Sequence, residues 1–286
     1  MSKYSVNDAW PIDEPTNIED CLKKLVRLSP DRKVIECHGA SKLEWSCIRS
    51  TFDIRFFNKN NVTKKQPKDV EKDMLKSFVE KAKADSHFPA EARRFIEVAH
   101  LKWDTLYNTG TVFVGRHYGL PTRCVDWTRD PLIALFFACR RVPKKPGVVW
   151  WMDYGVFSYA IAAQWPLVYG KKKNIEDDFE KDFTEDKDKD ILIRFHYKCL
   201  MNRPEKQNAH IILSGQYDVH HDEAIHRLGV RKCGRIVIKS KMKSDLLDKL
   251  DRWGINSKML GIEDSGEDSY IEKIATDVAD KYGLGK

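Results

Sequence analysis

No stretch of this 286-residue sequence approaches the roughly 18 consecutive apolar residues of a membrane-spanning helix, and Met1 to Trp10 lacks an apolar signal core. A cytoplasmic protein with no membrane partner is expected. The seven cysteines are odd in number, scattered from Cys21 to Cys233, and never spaced C-x-x-C. That excludes a disulfide framework or a zinc ribbon and fits a reducing compartment. There is no G-x-G-x-x-G, no G-x-x-x-x-G-K-[ST] and no G-x-S-x-G, so dinucleotide-fold dehydrogenases, P-loop NTPases and α/β-hydrolases fall away. His220, His221, Asp222, Glu223 and His226 carry metal-ligating atoms but not the H-E-x-x-H spacing that puts two imidazoles on one helical face, and no metal is expected. No internal repeat is present.

What remains is an ordinary globular composition. With 42% hydrophobic and 33% charged residues the chain is too apolar to stay disordered. A net charge of +7 favours anionic partners without establishing one. The positive charge is densest where Arg227, Arg231, Lys232, Arg235, Lys239, Lys241 and Lys243 follow one another with no acidic residue between them. Strand alternation would set Arg235 and Lys239 on one face as candidate nucleic-acid contacts; an ordinary solvated face is the other reading.

The element order reads helices first, strands later. Thr16-Asn17-Ile18-Glu19 has the form of a capping box opening a helix within 15–30, which Ser29-Pro30 ends. Leu43 to Ile48 alternates as a first strand leading to Arg49. Val70, Met74, Phe78 and Ala82 recur at helical spacing, Pro89 starts a third helix, and Pro131 opens an apolar helix expected at the centre of the fold. Short β-like runs follow at Val148 to Met152, Ile191 to Phe195, Ile211 to Leu213 and Ile236 to Ile238. The charged block 171–190 reads as an exposed insertion. Two helices close the chain, one capped by Ser244 and ending at Gly254, the other within 267–286 and stopping at Gly283. Without regular β-α alternation the class is α+β, one domain with a mixed or antiparallel sheet flanked by helices.

The densest chemistry lies between Arg116 and Pro131. Gly119 and Pro121 permit a tight backbone course; His117, Tyr118, Arg123 and Asp126 supply donors and acceptors; Trp127 offers a stacking face. The segment runs into a helix N-terminus, which favours an anion such as phosphate. Two readings stand for Arg123 and Asp126: functional groups, or an ion pair that pins the loop. Trp127 reads as core.

The run His117-Tyr118-Gly-Leu-Pro-Thr-Arg123-Cys-Val-Asp126-Trp127-Thr128-Arg-Asp-Pro131-Leu-Ile-Ala-Leu-Phe-Phe-Ala resembles the signature of FRG-domain proteins, Q-H-Y-G-L-P-T-R-L-L-D-W-T-x-x-P-x-x-A-L-x-F-A. Arg116 replaces the usual Gln. The naming Phe-Arg-Gly corresponds to Ile48-Arg49-Ser50, keeping only the Arg. Phe95 to Trp103 and Ile236 to Asp264 are also similar, so the whole chain, 1–286, is expected to form one FRG-like domain, with segments at 43–140 and 147–264. The family's late Q-x-G-x-F corresponds to Leu213-Ser214-Gly215-Gln216-Tyr217, where the first Gln is lost and Gln216 lies nearby.

The resemblance implies a layout like that of ADP-ribosyltransferases, with NAD as substrate. By it, Arg49, His117, Tyr118 and Gln216 are the candidate catalytic residues. Arg49, His117, Tyr118, Arg123 and Thr128 are the candidate cofactor contacts. It also implies a toxin or anti-phage setting, a nucleic-acid or protein acceptor, and an antitoxin protein as partner. The catalytic carboxylate is left open among Asp218, Glu223 and Glu263. The alternative is a non-enzymatic module that recognises a nucleotide, nucleic acid or protein.

Overall fold

The computed structural model describes residues 4–28, 35–40, 48, 50, 66–90, 92–94, 96, 109–169, 192–195, 205–217, 219–262 and 267–285. Their strands form one seven-stranded sheet: β1 (Ile12–Asp13), β2 (Ile35–Ala40), β3 (Cys124–Thr128), β4 (Gly147–Asp153), β5 (Leu192–Phe195), β6 (Ala209–Ser214) and β7 (Cys233–Ile238). The order is β1-β7-β4-β2-β3-β6-β5, in which β1 runs parallel to β7 and every other pair is antiparallel. The helices are α1 (Val6–Ala9), α2 (Ile18–Leu28), α3 (Pro67–Ala84), α4 (Thr109–His117), α5 (Pro131–Arg140), α6 (Tyr154–Tyr169), α7 (His221–Arg227), α8 (Lys243–Arg252) and α9 (Glu267–Lys281). The mixed α+β class expected from the sequence is what the chain adopts.

Strand alternation divides the core in three. On one face of the sheet, α2, α5 and α8 pack over Ile35, Cys37, Val149, Ile236 and Ile238. Beside them α3, α4 and α9 cover Cys124, Ile211 and Leu213. The opposite face carries Val125, Trp127, Trp150 and Met152 beneath Trp10, Phe157 of α6, and Ala224 and Ile225 of α7. Helix α5 comes unusually close to its strands. A Cβ at Gly39 would overlap the carbonyl oxygen of Ala134, and one at Gly147 that of Ala138, so both positions exclude a side chain.

Local chemistry accounts for the helix ends. In α2 the cap is Asn17, whose Oδ1 accepts from the Asp20 amide at 2.9 Å, while the Asp20 carboxylate takes the Thr16 amide at 2.9 Å. The capping box expected on Thr16 and Glu19 is therefore shifted by one residue. The Asp130 carboxylate accepts from Leu132 N at 2.9 Å to cap α5, with Pro131 in its first turn. Helix α8 begins at Lys243 after a 3₁₀ turn, so Ser244 lies inside it and is not its cap. It ends on Gly254 at φ +80°, with Ile255 N bonded to Leu250 O.

Three elements differ from the expectation. The strand β2 precedes the one read at Leu43 to Ile48, most of which lies outside the described residues, as does the charged block 171–190. Helix α4 has no counterpart in the expected elements; Thr109-Gly-Thr-Val-Phe-Val-Gly is rich in β-branched residues and glycine, and packing of Val112, Phe113 and Val114 in the core overrides that propensity. The second half of the signature segment is the strand β3, reached through Gly119 at φ +94°.

Candidate functional site

Strand β3 divides the signature segment between the two sides of the sheet. Asp126 turns toward α4 and pairs with Arg116 at 2.6 Å. Burial alone would raise its pKa, but Arg116, His117 and His38 outweigh it and hold the carboxyl below the ordinary value. Arg123 takes a different partner from the Asp126 considered above: its Nε donates to Glu71 Oε2 at 2.7 Å, its amide to Glu71 Oε1 at 2.8 Å, and its Nη1 to Gly215 O at 3.1 Å. Tyr217 closes this buried network, donating to Glu71 Oε2 at 3.0 Å with its ring under the guanidinium. Arg123, one residue before β3, is thus held by Glu71 of α3, and Asp126 by Arg116 of α4, in place of the Arg123–Asp126 pair considered above.

The other candidates are placed as follows. His117 is buried edge-to-face against Phe113 with centroids 4.5 Å apart, and Tyr118 lies in the core beside Leu120. Thr128 donates to Gln207 O at 2.8 Å, and its Oγ accepts from Asp130 N. Gln216 is half-buried; its side-chain oxygen is shielded from solvent and has no hydrogen-bond partner among the described residues. Glu223 is paired with Arg227 one turn along α7. Arg49, Asp218 and Glu263 lie outside the described residues. The structure thus joins Arg116, His117 and Asp126 at one place, and Arg123, Gly215 and Tyr217 at another.

Arg235 requires a correction. It is 3% exposed, donating from Nε to Trp10 O at 2.9 Å and from Nη2 to Asn7 at 2.7 Å, with its guanidinium over Trp150. β7 lies between β1 and β4 with both faces covered, so Arg235 is no solvent-facing cation; Lys239, beyond the strand end, is half-buried.

The opposite face of the sheet holds a polar cluster that sequence reading did not single out. Glu36 of β2 is completely buried, and its carboxylate faces His210 of β6, Arg194 of β5 and Arg129 of the β3–α5 turn. Arg194 Nη2 and Arg129 Nε approach the same oxygen, Oε1, at 3.2 and 3.6 Å, while His210 Nε2 meets Oε2. Burial outweighs the pull of Glu36 on His210 and keeps its imidazole pKa below the ordinary value, so the ring is neutral near pH 7. Above the carboxylate, both guanidiniums lie over the ring of Tyr154, 4.3 Å from its centroid for Arg129 and 4.8 Å for Arg194. A hydrogen bond with Ser158, and then Arg194 and Arg129, lower the Tyr154 pKa. His38 and Trp127 continue the row, their rings 5.9 Å apart, and His38 Nδ1 meets the Asp126 carbonyl at 2.7 Å. The sequence did carry a signal here: Glu36, Arg194 and His210 each stand as a polar residue inside an apolar β-like run.

Residues 38–146 match the family model described as the FRG domain. Over that span the chain is similar to an FRG domain. The matched span supplies His38, Trp127 and Arg129 to the cluster, while Glu36, Tyr154, Arg194 and His210 come from outside it. No curated protein and no solved structure matches the chain. No helix among the described residues is long and apolar enough to cross a membrane.

Proposed function

We propose that this FRG-domain protein is an NAD-consuming ADP-ribosyltransferase acting on a nucleic acid or a protein, in a toxin or anti-phage setting where an antitoxin protein restrains it. The observation that supports the reading is the cluster around Glu36, which sets two guanidiniums beside the half-buried ring of Tyr154. Transfer of ADP-ribose breaks the bond between nicotinamide and ribose and builds oxocarbenium character at the sugar. Catalysis then depends on holding the dinucleotide in one orientation and on fixed charges aimed at the reacting centre. Cations orient a diphosphate, an aromatic ring accepts a flat base, and Glu36 keeps the guanidiniums in register.

A second reading, a non-enzymatic recognition module, is favoured by one feature. The carboxylate that the described ion pairs bring to the cluster is Glu36, and it is fully buried against three basic side chains instead of open to a reacting sugar. Incubation with NAD labelled in its adenylate half, together with RNA, DNA and protein acceptors, separates the readings. Label on a macromolecule establishes a transferase. Free nicotinamide without transfer indicates a glycohydrolase, and intact NAD leaves the recognition module.

A further inference from the structure

We infer that Arg129, Arg194 and the ring of Tyr154 form a binding site for the diphosphate group of a nucleotide. This deepens the transferase reading, and rests on it only for the choice of NAD among nucleotides.

The first argument is charge. Two guanidiniums face one carboxylate, and His210 is held neutral by burial, so among the described residues the cluster keeps one positive charge in surplus. The neighbouring carboxylates among the described residues do not remove it. Asp130 caps α5 and lies near Cys37, on the other side of β2, while Asp153 accepts from Val156 N and pairs with Lys232 at 2.6 Å.

The second argument is unused donors. Nε of Arg129 and both Nε and Nη2 of Arg194 are shielded from solvent yet have no hydrogen-bond partner among the described residues. Arg194 Nη2 and Arg129 Nε stand 3.2 and 3.6 Å from Glu36 Oε1, close enough for attraction, without a hydrogen bond. Buried guanidinium donors in that condition are costly, and an anion that accepts several at once satisfies them together with the surplus charge.

The third argument is size. The Arg194 side chain is 13% exposed and that of Arg129 24%, at the foot of α6. Guanidiniums so largely enclosed suit a small phosphate group, whereas a nucleic-acid backbone needs cations standing out from the surface.

The test is calorimetry on the full chain with pyrophosphate, ADP, adenosine and a single-stranded RNA oligonucleotide, in parallel with thermal melting. Pyrophosphate and ADP are expected to bind and raise the melting temperature, adenosine to do neither, and affinity to weaken as salt rises. Arg129→Gln and Arg194→Lys should each weaken ADP about tenfold or more, with Lys258→Gln unchanged as a surface control. Because Arg194 sits in a strand, a melting curve accompanies its variant; Arg129, in a turn, carries the conclusion if Arg194→Lys unfolds. No binding of ADP or pyrophosphate by the parent overturns the inference, as does affinity unchanged in Arg129→Gln. RNA binding without ADP binding also overturns it. ADP binding with no release of nicotinamide from NAD upholds this site and sinks the transferase. NAD turnover indifferent to Arg129→Gln does the reverse.

Discussion

Arg123 and Glu71 form a fully buried ion pair, Nε to Oε2 at 2.7 Å, that ties the start of β3 to the second turn of α3. The same guanidinium reaches Gly215 O, so one side chain fixes the signature segment, a helix and the turn after β6. Removing one partner strands the other charge without water. Glu71→Ala should cost about 3–5 kcal/mol in denaturant unfolding, or prevent folding. The paired replacement Glu71→Leu with Arg123→Met should recover much of that loss, and a cycle showing simple additivity would contradict the linkage.

The two glycines Gly39 and Gly119 should respond differently to alanine. At Gly39 the new methyl meets the Ala134 backbone of α5, so the helix must move away from the sheet; the expected loss is about 1–3 kcal/mol or more. At Gly119 nothing lies within 4 Å, but φ is +94°, and the cost is the left-handed strain of about 1–2 kcal/mol. Melting curves of both variants decide this. An innocuous Gly39→Ala would mean that α5 does not pack as described.

Asp126 sets an acid-sensitive contribution. Its folded pKa lies below the ordinary value, so the stability it adds is present above about pH 4 and is lost as pH falls through the folded value. Asp126→Asn should flatten that part of the stability–pH curve and cost about 1 kcal/mol at neutral pH, a modest figure because the pair is partly exposed. An unchanged acid limb in the variant would assign it to other carboxylates.

Arg235 should behave as a core residue. Arg235→Gln loses the bond to Trp10 O and the contact over Trp150, and should destabilise by about 1–3 kcal/mol while leaving any salt dependence of nucleic-acid binding unaltered. A shallower salt slope with intact stability would return it to the surface role.

Tyr154 links anion binding to alkaline pH. Its pKa is lowered from the ordinary value near 10, and ionisation would neutralise the surplus charge of the cluster. Pyrophosphate affinity should therefore fall as pH rises from neutral toward that ordinary value. Tyr154→Phe should remove this dependence and bind at least as well at the alkaline end; a profile identical to the parent would exclude Tyr154 as the titrating group.

Much of this protein was legible from residues alone, because the signals were local. Apolar spacing at Val70, Met74, Phe78 and Ala82 gave α3, Asp130-Pro131 gave the start of α5, and short apolar runs gave β4 to β7. The signature from His117 to Pro131 pointed to the FRG domain whose model matches residues 38–146, since a long run of specific residues can be recognised without coordinates. The sequence could not show which charges meet. Arg123 has Asp126 three residues away but pairs with Glu71, 52 positions earlier, because packing sets α3 against Arg123 and α4 against Asp126. Arg235 reads as a surface cation until β1 and β4 are seen to enclose its strand. Glu36, Arg129, Tyr154, Arg194 and His210 are dispersed over most of the chain and form one cluster only because β2, β3 and β6 are neighbours in the sheet, with β5 beside β6. Helix propensity, capping and turn chemistry act over a few residues and can be read in order; strand adjacency and the pairing of buried charges are set by the packing of the whole chain, and only the tertiary structure decides them.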